Sequence, residues 1–122
     1  MMNAQRSVLV LNQSAPYGSA SARESLDVVL TCSIFDMPVS LLFAGDGVYQ
    51  LTKEQNGSAV GQKTLEAMLS ALPMYDVDSI YVTRNDLINS GLQESDLALP
   101  VQVIENDRLP ELIKQHSTVL TF

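Results

Sequence analysis

Five short apolar runs, each bounded by turn-forming residues and separated by stretches of helical pattern, constrain what this chain can fold into. They are SVLVLNQ at 7–13, VSLLFAG at 39–45, SIYVT at 79–83, VQVIE at 101–105 and STVLTF at 117–122. Runs this short, partly β-branched and flanked by Pro, Gly or Asp, have the pattern of buried strands. Between them, helical segments are expected near 20–35, 59–72, 84–90 and 107–115. Strands that alternate with helices pair in parallel, because parallel neighbours need a crossover and bury both of their faces. The predicted fold class is therefore α/β, with a five-stranded, mostly parallel sheet flanked by helices.

The 122 residues suit a single domain spanning 1–122, long enough to bury a core without a disulfide or a metal. With 46% hydrophobic and 17% charged residues the chain is expected to be globular and not disordered. The sole cysteine, Cys32, has no internal partner, which suits a reducing compartment. The N-terminal stretch MMNAQRSVLVLNQS lacks the long apolar segment of a signal peptide, and no apolar run approaches a membrane span. A cytoplasmic location is expected. The net charge of −7 and the scatter of the seven Lys and Arg, no two adjacent, argue against direct binding of nucleic acid.

The first predicted helix has a wide apolar arc. Ser21 and Glu24 have the spacing of a capping box and set its expected start. Ala22, Leu26, Val29, Leu30 and Ile34 form one apolar face, and Val28, Cys32 and Phe35 flank it. An arc wider than one sheet contact requires suggests a second packing surface, such as a partner subunit. Cys32 lies mid-helix among aliphatic neighbours with no His, Lys or Arg close in sequence. It is expected to be a small buried hydrophobe, with a reactive thiol as the alternative.

Other candidate sites are weaker. NQSAPYGSASARE follows the first strand and opens a helix, so its backbone N–H groups could cradle a phosphate in the flavodoxin manner. Ser and Gly are equally what turns and caps require, and neither G-x-G-x-x-G nor G-x-x-x-x-G-K-[ST] is present. In LFAGDGVYQL, Asp46 and Gly47 fall just past a strand's C-terminal end, where α/β sites gather. They are expected to shape a turn or a partner contact, with Gly47 the more sensitive to substitution if its φ is positive and with Tyr49 and Gln50 available for a surface contact. His116, the only histidine, is placed at the end of a helix. One Cys and one His cannot build a zinc site of familiar spacing, and no Ser–His–Asp pattern stands out. No catalytic residue, metal or cofactor is expected.

APYGSASARESLD, FAGDGVYQL and MYDVDSIYV, in this order and at these distances, resemble the TusC/DsrF family of DsrE-like sulfur-relay proteins. The resemblance spans nearly the whole chain. It implies a three-layer DsrE-like, flavodoxin-like fold and a subunit that joins TusD/DsrE-like and TusB/DsrH-like partners in a heterohexamer with two copies of each. In the Tus branch such a complex passes persulfide sulfur from the carrier TusA towards TusE for 2-thiouridine synthesis at the tRNA wobble position. In the Dsr branch the related subunits serve sulfur oxidation.

The resemblance also bears on the thiol. In the family, the DsrE-type subunit carries the persulfide on a cysteine just after the third strand, at the start of the following helix. The strand SIYV puts Thr83 at about that position here, and a hydroxyl cannot carry a persulfide. The implied role is a non-catalytic subunit. A sulfurtransferase using Cys32 and a flavodoxin-like small-molecule binder using the loop from Asn12 to Ser21 are the competing readings.

Overall fold

The computed structural model describes residues 7–16, 20–52 and 67–122. Strand β1 spans Val8–Asn12 and leads to helix α1 at Ser21–Ile34. Strand β2, Val39–Phe43, runs into a 3-10 helix at Gly45–Leu51. Helical residues 67–71 (α2) pass into a 3-10 turn at Leu72–Tyr75, and strand β3 follows at Ile80–Thr83. Helix α3 occupies Arg84–Ser90, β4 Gln102–Ile104, α4 Leu109–Lys114 and β5 Thr118–Thr121. Of the helix expected at 59–72, the portion 59–66 lies outside the described residues.

The strands form one sheet in the order β4-β3-β2-β1-β5. Every pairing among these five strands is parallel, so the expected mostly parallel sheet is wholly parallel, and only the isolated Thr52–Leu97 bridge among the described residues is antiparallel. Strand alternation divides the side chains between two unequal layers. Val8, Val10, Leu41, Phe43, Ile80 and Val82 point to one face, where they join Ala22, Leu26 and Val29 of α1, Leu69 of α2 and Leu87 of α3. On the other face Leu9 and Leu42 meet Leu112 of α4, with Leu11, Tyr81, Ile104 and Leu109 partly buried around them. The first face is a deep core, and the second is a thin one under a single short helix. Strand β5 closes one edge and stays exposed along its length.

Local chemistry explains several boundaries. Helix α3 starts where the Thr83 side chain accepts the Asp86 N–H, and stops at Gly91, whose φ of 77° ends it in the left-handed region. Pro110 sits in the first turn of α4, where its missing N–H costs nothing. Beyond α4, His116 Nδ1 is 2.8 Å from the Leu112 carbonyl, which can only accept, so this nitrogen carries the proton. Its Nε2 lies 2.9 Å from Ser40 Oγ, tying the end of α4 to β2.

Two expectations for α1 are corrected. The helix begins at Ser21 with Ala20 as its N-cap, and the Glu24 N–H is bonded to the Ala20 carbonyl; Ser21 is thus the first helical residue and not the cap. Ile34, assigned to the core face, is 71% exposed, because the sheet ends before the last turn of α1 does. Ser25 takes a buried place in that face, 1% exposed.

Candidate functional site

Successive strands β1 to β4 step outward in one direction, and the chain then crosses back to place β5 on the far side of β1. The strand order thus reverses between β1 and β5, and the carboxyl ends of those strands are where an open α/β sheet offers a crevice. Here the crevice floor is closed by the chain itself. The Gln13 N–H donates to the Phe122 carbonyl at 2.8 Å and the Phe122 N–H to the Leu11 carbonyl at 2.9 Å, while Phe122 packs against the main core. Residues 17–19 of the loop suggested as a phosphate cradle lie outside the described residues.

Asn12 organises what surrounds this point. Its carbonyl accepts the Ala44 N–H at 2.9 Å, and its Oδ1 accepts from the Ser25 hydroxyl on α1. Its Nδ2 is buried and has no hydrogen-bond partner among the described residues. The Gly45–Leu51 segment closes over it: a Cβ at Gly47 would stand 2.0 Å from the Asn12 carbonyl oxygen and 2.6 Å from its carbon. Glycine is required there by close approach to backbone.

That contact revises the reading of the D-G pair. Gly47 does not adopt positive φ; Gly45 does, at 52°. The pair belongs to a 3-10 helix and not to a tight turn, because the chain must turn over the end of β1 to reach the Thr52–Leu97 bridge. Asp46 is exposed, and Tyr49, 38% exposed, donates its hydroxyl to the Ser90 carbonyl of α3 at 3.2 Å. Gln50 makes no surface contact. It is 2% exposed, and its Nε2 donates to the Ser14 carbonyl at 2.7 Å, which fastens the 3-10 helix to the loop after β1. The structure thus brings all four residues into one segment but gives them different surroundings, Asp46 and Tyr49 outside, Gly47 and Gln50 inside.

A second location is the junction of β3 and α3. Thr83 is the last residue of β3 and the N-cap of α3, and it is 1% exposed. Its Oγ1 accepts the Asp86 N–H at 3.2 Å and donates to Asp86 Oδ2 at 2.9 Å. The adjoining Arg84 pairs with Glu105 just past the end of β4 at 2.7 Å, a bond between exposed groups that raises the guanidinium pKa and contributes little to stability. The hydroxyl at this junction is buried and engaged on both its donor and an acceptor side by Asp86.

Cys32 is far from both places along the strand axis. It lies on the later half of α1, whose C-terminus leads to the start of β2, whereas Asn12 and Thr83 end their strands. The thiol is half-buried against the main core, and burial pushes its pKa up, which lowers the fraction of nucleophilic thiolate at neutral pH. Among the described residues no group of three or more His, Cys, Asp or Glu could hold a metal ion, and no helix is long and apolar enough to cross a membrane.

The buried ties of Asn12 and Gln50 were not singled out from the sequence. The available signal was an Asn ending an otherwise apolar strand, since a buried amide at such a place needs partners from another segment.

Fold and site together define a wholly parallel α/β protein whose strand ends are fastened by backbone and amide contacts and whose β3–α3 junction carries a hydroxyl. The model of the DsrE/DsrF-like family matches residues 6–122, and the chain belongs to that family. A Pseudomonas aeruginosa protein named "Protein TusC homolog" is 40% identical over 116 residues, 95% of this chain and 98% of that protein. The "Intracellular sulfur oxidation protein DsrF" of Allochromatium vinosum is 35% identical across 100% of both chains. Among solved structures, the YchN protein of E. coli superposes with a TM-score of 0.77 at 24% identity, covering 98% of this chain and 100% of that one, a likeness of fold.

Proposed function

We propose that this chain is a non-catalytic structural subunit of a cytoplasmic, heterohexameric sulfur-relay complex of the TusBCD kind. Its partners are TusD/DsrE-like and TusB/DsrH-like subunits, and the complex passes persulfide sulfur from a TusA-like carrier to a TusE-like one for 2-thiouridine synthesis at the tRNA wobble position. The observation that carries this reading is Thr83. It occupies the end of β3 and the start of α3, the position at which the resemblance puts the relay cysteine of a DsrE-type subunit, and its hydroxyl caps α3. Cys32 supports the same reading, since it sits elsewhere with a raised pKa. Within the FAGDGVYQL motif, Asp46 and Tyr49 are the members able to meet a partner, while Gly47 and Gln50 hold the segment in shape.

The 35% identity to a sulfur oxidation protein favours a second reading, the corresponding subunit of a DsrEFH-like complex. The greater identity to a TusC homolog favours the Tus branch. One experiment addresses the non-catalytic role in either branch: co-purify the chain with its two partner subunits and follow persulfide transfer through the complex. Cys32→Ala is expected to leave transfer near the wild-type rate, with no persulfide found on this chain by mass spectrometry during turnover. Loss of transfer from an intact assembly would sink the proposal and favour a Cys32-dependent sulfurtransferase.

A further inference from the structure

At the amino end of the sheet, opposite the strand ends that hold Asn12 and Thr83, four large apolar side chains on neighbouring segments are exposed. Ile34 is 71% exposed, Phe35 76%, Met74 86% and Tyr75 48%. They come from two segments, the end of α1 and the 3-10 turn Leu72–Tyr75, which the Ser33 hydroxyl joins by donating to the Tyr75 carbonyl at 2.6 Å. Between them a groove of about 210 Å³ is lined by Ser33, Asp36, Met37, Tyr75, Asp76 and Val77 among others. Apolar groups held together on a surface in this way mark interfaces more often than they occur by chance.

The rim supplies the identity of the occupant. Asp36 and Asp76 follow the two apolar segments directly, and Asp78 lies two residues further on; all three are exposed. The described cations Arg23, Arg84, Arg108 and Lys114 all lie outside the segments 33–38 and 73–78. Among the described residues, the two apolar segments are thus bordered along the chain by exposed carboxylates and by no cation. A second copy of the chain would bring the same carboxylates against its own in a self-complementary contact, and a net charge of −7 makes that approach worse.

We infer that the surface formed by Ile34, Phe35, Met74 and Tyr75 docks a different protein, one that presents apolar side chains ringed by Lys and Arg. Phe35 and Met74 are the anchors, and Asp36, Asp76 and Asp78 guide the basic rim into register. This goes beyond the proposed subunit role by naming the face through which the chain meets a partner, and it rests on that role only for the choice of probe.

The test uses the full chain co-expressed with its TusD/DsrE-like and TusB/DsrH-like partners. Assembly is measured by sedimentation and by amide exchange at 33–38 and 73–78. The wild-type chain is expected to assemble and to gain protection at both segments. Phe35→Ser with Met74→Ser is expected to weaken assembly about tenfold or more, as loss of central anchors does. Asp36→Asn with Asp76→Asn, which keeps residues tolerant of positive φ at both places, is expected to weaken it less and to flatten its dependence on salt. Wild-type assembly without protection here, and unchanged by the apolar pair of substitutions, overturns this inference and leaves the subunit role standing. A wild-type chain that assembles with neither partner overturns both. Self-association abolished by the apolar pair would show a second copy on this face and likewise overturn the inference.

Discussion

The two ends of the sheet are built to opposite plans. At the carboxyl end, Asn12, Ser25, Gly47, Gln50 and Thr83 are all buried, and each is engaged by backbone or side chain from another segment or from the next helix. At the amino end, four large apolar side chains stand in solvent and the adjoining loops turn through Asp36 and Asp76 at φ of 55° and 62°. An α/β fold ordinarily places its ligand chemistry at the carboxyl end. In this chain the described groups there serve the fold, and the most exposed of the described large apolar side chains, Ile34, Phe35 and Met74, lie at the other end.

The largest effect that would break this comparison belongs to Gly47. Gly47→Ala places a Cβ 2.0 Å from the Asn12 carbonyl oxygen, a contact with backbone that no rotamer relieves. It is expected to cost about 3 kcal/mol, at the upper end of overpacking effects, and to separate the 3-10 helix from β1. A urea midpoint within error of wild type would mean that the segment is not seated on Asn12.

Thr83→Ala comes next. It removes the acceptor of the Asp86 N–H at the start of α3 and is expected to cost about 1 kcal/mol. Persulfide transfer by the assembled complex is expected to remain, so stability and transfer should respond separately in denaturation and turnover assays.

Cys32 gives a smaller, pH-dependent signal. A thiol whose folded pKa lies above its unfolded value of about 8.5 favours the fold while both states are protonated. That contribution is complete below the unfolded pKa and is lost as the pH rises through the folded one, because the unfolded chain ionises first. Thiol labelling of the native chain is therefore expected to be slow at pH 8 and to accelerate with both pH and denaturant. Fast labelling at neutral pH would point to a reactive thiol.

The smallest effect is expected at the amino end. Phe35→Ser with Met74→Ser should change the stability of the isolated chain by less than about 0.5 kcal/mol, since both side chains are mostly in water. A large loss by thermal unfolding would show that they pack in the monomer, and the contrast between the two ends would fall.

Much of the architecture was legible along the chain because it depends on local pattern. The five apolar runs mark the five strands to within two residues at either end, and Arg84–Ser90 matches the expected helix at 84–90 because Thr83 and Gly91 carry their capping chemistry in the sequence. Placement of Asp46 and Gly47 past the end of β2 followed from the same pattern. The surroundings of those residues did not. Gln50 looks like a surface amide until Ser14 arrives beside it, 36 residues away in the chain.

Sequence alone determined the alternation of elements, the parallel class of the sheet and the absence of a thiol at the end of β3, since periodicity and residue identity are properties of short stretches. Tertiary structure decided why Gly47 must be glycine, why Ile34 and Phe35 are left exposed by a helix that outruns its sheet, and why Gln50 is buried. Each of those depends on the distance between segments remote in sequence, and burial becomes definite only when the sheet brings such segments together.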